Sequence, residues 1–341
     1  MCDHNRPLVK KKRTFIWLKL FFSVNLTQFL QAARINMLRR APALLPLLSA
    51  LFALYFIWGS TYFVIKLGVE SWPPMMLAGL RFLLAGTVLM VFLLLRGERL
   101  PGWRPALNAA LVGVMLLAVG NGAVTVAEHQ NVPSGIAAVM VATVPLFAMC
   151  FSRLFGIQTR WIEWLGIAVG LVGIIMLNSG GHLGGNPWGA VMILVGSISW
   201  AFGSVWGSRI TLPHGMMAGA IEMLTAGVVL LIASTLSGEH LTSRPGLQGL
   251  LALAYLSLFG SVIAINAYMY LIRNVTPAIA TSYAYVNPVV AVLLGISFGG
   301  ESLTSREWLA LAVIILAVVL VTLGKYLFPA KPSVKPCTLD E

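Results

Sequence analysis

The sequence predicts an all-α polytopic membrane protein with ten transmembrane helices, arranged as two inverted five-helix repeats. Three observations predict this fold: the composition is apolar, membrane-length apolar runs recur along the chain, and its second half repeats its first. Of 341 residues, 58% are hydrophobic and 10% are charged, and the mean hydropathy is +0.88. An ordinary soluble domain, with about 25% charged residues, is therefore excluded.

Each predicted helix is an apolar run long enough to cross roughly 30 Å of hydrocarbon, which takes about 20 residues. The runs lie at approximately residues 44–65, 74–95, 106–127, 134–155, 161–178, 187–207, 215–236, 247–270, 277–299 and 307–328. The connections between them are short and contain turn formers such as Pro73-Pro74 and Gly180-Gly181. No folded domain outside the membrane fits between these runs.

An internal repeat recurs at a nearly constant spacing. Asn131–Ala148 aligns without a gap on Asn274–Ala291, 143 residues later, with six identities. Three further pairs have nearly the same offset, namely Trp58 over Trp200 (142), Arg81–Gly86 over Glu222–Gly227 (141) and Glu163–Val169 over Glu307–Val313 (144). Repeats in an apolar chain are typical of transporters whose solute site lies between the halves.

Basic residues after residue 36 fall mostly on one side of the predicted helices. That side receives Arg39, Arg40, Arg96, Arg99, Arg104, Arg153, Arg160, Arg209, Arg273, Lys325, Lys331 and Lys335. The other side receives Lys66, Arg244 and Arg306. The positive-inside rule then predicts that both termini are cytoplasmic. Because each repeat has an odd number of helices, the second repeat enters the membrane in the inverted orientation. The net charge of +12 therefore reflects topology, and we expect no nucleic-acid partner.

The predicted organisation has four parts. Residues 1–36 are a basic extension, 48–178 the first repeat, 188–324 the second repeat and 325–341 a cytoplasmic tail. The extension has three interpretations: a signal peptide, an interfacial amphipathic segment, or a start-site artefact upstream of a natural start at Met37. An eleventh crossing there would contradict the charge distribution.

Several segments resemble the EamA family of the drug/metabolite transporter superfamily. They are Trp58–Lys66, Arg81–Gly86, the proline-centred helices 4 and 9, Gly300-Glu301, and the Glu-Trp-Leu starts at Glu163 and Glu307. The resemblance covers both repeats and implies ten helices in two inverted EamA repeats that carry small metabolites, mostly outward. It does not imply one substrate, because relatives are associated with amino acids, pigments, drugs and nucleotide sugars. Ile157 stands where the second repeat has Glu301. A role of the Gly-Glu loop motif is therefore expected in the second half only.

Arg81 and Glu222 are the charges that lie well inside predicted helices, at repeat-equivalent positions in helices 2 and 7. A charge at mid-helix costs roughly 2.5 to 3.5 kcal/mol on insertion scales, so both side chains should face the bundle interior or a wet cavity. We expect them at mirrored depths, roughly 10 Å apart along the membrane normal, without a direct ion pair. Glu222 is a candidate proton or cation contact and Arg81 a candidate anion contact, but each could instead only hold the bundle together.

Pro145 and Pro288 occupy matching mid-helix positions in helices 4 and 9, where each removes a backbone hydrogen bond. Helix 9 also carries Tyr283, Tyr285 and Asn287, which have no polar counterparts in helix 4. This asymmetry predicts that helix 9 lines the solute path more than helix 4 does. Kinks that serve packing alone are the alternative.

Aromatic and amide side chains are further candidates for a solute path. Trp58, Tyr62 and Trp200 lie near the middle of helices 1 and 6 and predict an aromatic-lined cavity, although interfacial belts are an alternative. Asn121 and Asn266 could hydrogen-bond a solute or a neighbouring helix.

Glu128 ends helix 3 beside His129, where we expect solvation at the outer mouth. The sequence shows neither paired carboxylates nor a nucleophile with a base, so an intramembrane enzyme is a remote alternative. It also lacks a phosphate-binding loop motif, so ATP-driven pumping is not expected. The spacing of Cys2, Cys150 and Cys337 predicts no metal site, and we expect no cofactor.

The sequence therefore favours a multi-pass transporter of the bacterial inner membrane that exports small organic metabolites or drugs by alternating access. Its expected partners are the lipid bilayer, a small-molecule solute and protons, and small residues in helix 5 allow a homodimer. Uptake or exchange, for example of an amino acid or a nucleotide sugar, is the alternative.

Overall fold

The computed structural model describes residues 44–156, 161–178, 187–274 and 283–327. Every regular element in these ranges is an α-helix or a π-helical turn, which confirms the all-α prediction. The predicted extension at residues 1–36 and the tail from residue 328 lie outside the described residues.

Five helical segments, α1 to α5, form the first half. They are α1 (Leu44–Phe52, a π-helical turn at Ala53–Trp58, and Gly59–Val69), α2 (Pro74–Leu95), α3 (Trp103–Gly113, a π-helical turn at Val114–Asn121, and Gly122–His129), α4 (Ser134–Val141 and Val144–Leu154) and α5 (Trp161–Asn178).

Five more segments, α6 to α10, form the second half. They are α6 (Pro187–Gly207), α7 (Met217–Leu236), α8 (Leu247–Ser257, a π-helical turn at Leu258–Ile263, and Ala264–Asn274), α9 (Tyr283–Phe298) and α10 (Ser305–Leu327). Within the described ranges, seven segments (α1 to α4 and α6 to α8) are long and apolar enough to cross a membrane. The count of ten crossings stays a prediction.

The ends of α2 and α7 show the repeat in local structure. Both helices end with a glycine in the left-handed region, Gly97 (φ 82°) and Gly238 (φ 75°), which are 141 residues apart. After each glycine, the next backbone N–H reaches back to the carbonyl five residues earlier, as in a Schellman motif. The same helix stop is therefore used twice.

The crossing of α2 and α7 is built from reciprocal glycine contacts. A Cβ on Gly86 would lie 2.8 Å from the backbone nitrogen of Leu224, and one on Gly227 would lie 2.6 Å from that of Leu83. Gly86 and Gly227 are 141 residues apart, and so are Leu83 and Leu224, so the two contacts are equivalent in the repeat. This reciprocity is what a two-fold relation between the repeats requires.

The other helices also pack across the two repeats. α5 packs along α10, α4 on α9, α3 on α6, and α1 on both α8 and α9. Gly170 of α5 faces Leu146 and Ala317, and Gly173 faces Ile314. These small residues of α5 therefore serve close packing inside one chain.

The outer surface of the helices is apolar. Large hydrophobic side chains that remain exposed include Leu95, Trp188, Leu236, Ile175 and Phe298. A soluble monomer rarely shows so much contiguous apolar surface, so these side chains face the lipid bilayer.

Widening the α2–α7 crossing should destabilise the fold. Gly227→Val places a branched side chain against the backbone of Leu83, and overpacking of this kind costs about 1–3 kcal/mol. We expect a lower melting temperature in detergent. The control is Gly246→Ala, where the added Cβ meets nothing within 4 Å and the melting temperature should stay unchanged. Equal melting temperatures of the two variants would contradict the close approach of α2 and α7.

Candidate functional site

A cavity of about 420 Å³ lies between the two repeats. Its walls come from α1 to α4 of the first half and α6 to α9 of the second. It extends to the loop between α6 and α7, where Leu212, Pro213 and Gly215 line it. We call this end of the bundle the Pro213 end, and the opposite end, which holds the loops before α2, α4, α8 and α10, the Glu301 end.

Most of the residues proposed from the sequence line this cavity. They are Trp58, Tyr62, Arg81, Asn121, Pro145, Trp200, Glu222, Tyr283, Asn287 and Pro288. Asn266 does not belong to the described lining, and its side-chain nitrogen donates to the carbonyl of Val262 one turn earlier (2.8 Å). The side chain of Tyr285 lies outside the described residues.

Arg81 is buried, with 4% of its surface exposed, and its guanidinium bonds to both repeats. Its Nε donates to Ser261 Oγ (3.0 Å), its Nη1 to Asn121 Oδ1 (3.3 Å) and its Nη2 to the carbonyl of Gly260 (3.4 Å). Asn121 and Ser261 are 140 residues apart and occupy corresponding places in α3 and α8. The guanidinium therefore sits where the two repeats meet.

The partners of Arg81 belong to the π-helical turns of α3 and α8. Asn121 ends the first turn, and Gly260 and Ser261 lie within the second. The Gly260 carbonyl also accepts a hydrogen bond from Trp58 Nε1 (3.1 Å). π-helical turns are rare and often occur at functional sites. Neither turn was predicted, because no residue type marks them in the sequence.

Aromatic rings form one wall of the cavity. The rings of Trp58, Tyr268 and Tyr283 lie 5.1 to 5.8 Å apart, within the range of favourable aromatic pairs. On the repeat-equivalent wall, the Trp200 ring packs against Gly120, where a Cβ would lie 3.0 Å away. The predicted aromatic lining is thus present in the cavity, and Tyr268 is a member that the sequence reasoning missed.

Glu222 lines the cavity from α7 without an ion pair to Arg81 among the described side chains. Gly113 of α3 lies so close that a Cβ there would be 2.5 Å from the Glu222 Cα. This close approach fixes the backbone of Glu222 next to α3. The expected lack of a direct ion pair holds among the described side chains, and the mirrored depths stay a prediction.

The two proline helices differ in shape. α4 breaks at Ala142–Thr143, directly before Val144 and Pro145, whereas α9 continues through Pro288. The prediction that α9 lines the cavity more than α4 stays a prediction, because the side chain of Tyr285 lies outside the described residues. The α4 break contributes Ala138, Val141, Ala142, Val144 and Pro145, whereas α9 contributes Tyr283, Asn287 and Pro288. The difference between the helices is therefore chemical, since α9 supplies the polar groups.

Glu301 joins three elements at the Glu301 end. Its Oε1 accepts hydrogen bonds from Lys66 Nζ (2.9 Å) in α1, and from the backbone nitrogen and the hydroxyl of Ser134 (both 2.8 Å), which begins α4. Burial alone would raise the pKa of this loop carboxyl, but the bonds from Lys66 and Ser134 outweigh it and lower the pKa below its ordinary value.

Glu239, in the loop after α7, makes a similar contact at the same end. Its carboxylate accepts the backbone N–H groups of Met75 (3.2 Å) and Met76 (3.0 Å) in the first turn of α2, and the hydroxyl of Ser234 (2.7 Å). A carboxylate is favourable there because the first N–H groups of a helix have no partner in the helix. Two carboxylates of the second repeat thus close this end by capping helices of the first.

The expectation that Glu128 is solvated is wrong. The residue is buried, with 2% exposed, and the charges of Lys66 and Glu301, which bond to each other, act on its carboxyl. Neither carboxylate oxygen has a hydrogen-bond partner in the part of the chain that the structure describes. Ser197 Oγ, which lines the cavity, is in the same situation.

The model of the EamA-like transporter family matches residues 45–179 and 187–323. This chain belongs to the EamA family. The inner membrane transporter YedA of Escherichia coli K12, described as uncharacterized, is 76% identical over 297 residues, which are 87% of this chain and 97% of YedA. PecM of Dickeya dadantii is 28% identical over 82% of this chain and 93% of its own. The transporter YdfC of Bacillus subtilis is 27% identical over 72% of this chain and 80% of its own.

A solved crystal structure described without a function has the same fold. It gives a TM-score of 0.59 at 19% sequence identity, over 82% of this chain and 98% of the other. At that identity the likeness concerns the fold alone. The family and the apolar helices together make this EamA protein a membrane-embedded transporter of a small solute.

Replacing Arg81 with lysine in this EamA transporter should weaken the junction between the repeats. A lysine keeps the charge but cannot present the fork that reaches Ser261, Asn121 and Gly260 together. Leaving such buried groups unpaired costs about 1–3 kcal/mol, so the melting temperature in detergent should fall. The matched control is Arg99→Lys on the exposed surface, which should melt as the wild type. A fall of equal size in both variants would contradict the assignment.

The Glu301 contact should contribute to stability only above acidic pH. A carboxyl whose pKa is lowered by folding stabilises the fold fully above its unfolded pKa, and loses this contribution as the pH falls through its folded pKa. The melting temperatures of wild type and Glu301→Gln should therefore differ at neutral pH and converge on acidification. A difference that is constant with pH would contradict a charged Glu301.

Proposed function

We propose that this EamA protein is a secondary transporter of the bacterial inner membrane that exports small organic metabolites by alternating access. The observation that carries the proposal is the cavity of about 420 Å³ between the repeats, which reaches the Pro213 end of the bundle and has no loop residue of the Glu301 end in its described lining. The name of its relative YedA supports the inner-membrane location.

The two ends of the bundle differ although the sequence repeats. Glu239 caps the first turn of α2 at the Glu301 end. Its repeat equivalent is Glu98, 141 residues earlier and at the other end, which is exposed and has no described side-chain hydrogen bond to the first turn of α7. Among the described residues, the contact is therefore made at one end and not at the other. Inverted-repeat transporters change access by exchanging the states of their halves, so this asymmetry favours alternating access.

The distribution of basic residues supports the orientation. It favours cytoplasmic termini, which would place the Pro213 end in the cytoplasm and the Glu301 end outside. The cavity then faces inward, the state in which an exporter takes up its solute. Uptake or exchange stays the alternative, and the direction of flux decides between them.

The cavity lining favours an organic solute with an apolar body and a polar group. Trp58, Trp200 and Tyr283 offer ring surfaces, whereas Arg81 and Glu222 offer charges of opposite sign. Arg81 uses part of its five N–H donors within the bundle, which leaves donors for an anionic group. Glu222 serves a cationic group or a proton.

Comparing metabolites in cells and medium tests the export. A strain that overproduces the protein should accumulate at least one small metabolite in the medium relative to a deletion strain, with the sum of both pools conserved. Conservation of the sum excludes the remote alternative of an intramembrane enzyme, which would convert the compound. If no metabolite moves outward, the export proposal fails.

The same assay tests Glu222. Glu222→Gln should lower the outward flux about tenfold or more, equivalent to about 1.4 kcal/mol in the barrier, because it removes the only acidic side chain in the described cavity lining. Glu70→Gln, an exposed acidic residue, is the control and should export normally. Normal flux in Glu222→Gln would remove this carboxylate from the mechanism.

A further inference from the structure

Glu128 is a buried acid that the cavity itself does not use. It lies near the end of α3, one helical turn after Val124, which lines the cavity. Only 2% of the residue is exposed, and both carboxylate oxygens are without a partner among the described residues. Buried polar groups nearly always have hydrogen-bond partners, so this exception points to a function.

The charged groups around Glu128 are engaged elsewhere. α1 contributes Lys66 and Tyr62, α2 contributes Arg81, and the loop before α10 contributes Glu301. The other packed elements, α6 and the first part of α4, carry no titratable residue. Lys66 is bonded to Glu301, and Arg81 is bonded to Asn121, Gly260 and Ser261 of the two π-helical turns. Glu301 repels an ionised Glu128, while the attraction of the two cations acts without a hydrogen bond.

An ionised carboxylate that is buried without a hydrogen bond is far less favourable than its neutral form. In the present conformation, with the Glu301 end closed, Glu128 must therefore carry a proton. Opening this end would separate Lys66 from Glu301 and admit water to Glu128, and both changes favour ionisation. Opening and closing are thus linked to the release and binding of one proton.

We propose that Glu128 is the proton-binding group of the transport cycle, so that the Glu301 end closes only after Glu128 has bound a proton. The carboxylate binds the proton when this end is open, closure follows, and the proton leaves through the cavity, whose lining begins one turn away at Val124. No other bond forms or breaks. The inference rests on the proposed function, because it assumes that the two ends open alternately.

Infrared spectroscopy of the purified full chain in lipid tests the protonation without any solute. At neutral pH the wild type should show the C=O stretch of a protonated carboxylic acid, and this band should be absent from Glu128→Gln. It should persist in Glu70→Gln, an exposed acid at the same end, and in Glu222→Gln. If Glu128→Gln does not fold, the Glu222→Gln protein alone decides, since absence of the band there overturns the proposal.

Flux measurements test the coupling. In proteoliposomes loaded with the metabolite identified by the export comparison, an opposing proton gradient should accelerate its efflux at least tenfold for wild type and Glu70→Gln. Glu128→Gln should keep downhill efflux and lose this acceleration. An undiminished response of Glu128→Gln to the gradient overturns the inference but leaves the proposed export intact. If no metabolite is exported, the proposed function fails while the infrared band still reports on Glu128.

Discussion

The structure depends on the burial of one positive charge where the two repeats meet. A guanidinium among helices is tolerable only if hydrogen-bond acceptors surround it, and Arg81 finds them at Asn121, Gly260 and Ser261. These acceptors come from π-helical turns in both repeats. The charge thereby ties α2 to α3 and α8, and the cavity forms beside it with aromatic walls.

The proposed alternating access rests on where the repeats differ. The glycine crossing of α2 with α7 follows the symmetry closely, and Trp58 and Trp200 contact the repeat-equivalent glycines Gly260 and Gly120, although in different ways. The carboxylates at the ends do not, because Glu239 and Glu301 close one end and the opposite end lacks equivalent contacts among the described residues. A symmetric framework with asymmetric ends suits a protein that alternates between two states of similar energy.

Much of the fold follows from the sequence, because an apolar run has one stable structure in a bilayer and a repeat keeps its spacing. The candidates Arg81 and Glu222 followed from the cost of placing a charge in lipid, and Asn287 from the difference between the two proline helices. The π-helical turns did not, because they depend on how neighbouring helices pack. Glu128 was misjudged because a position at the end of an apolar run looks solvated. Lys66 and Glu301, whose charges both act on it, are 235 residues apart in the sequence.

The central claim is that the solute passes through the cavity beside Arg81, and protection of a cysteine in its wall tests this most directly. Ser197 is buried in that wall and has no described hydrogen-bond partner. In a variant without the native cysteines, Ser197→Cys should react with a small maleimide, and the exported metabolite should slow this reaction in a saturable way. Labelling that is unchanged by saturating metabolite would contradict a solute path through this cavity.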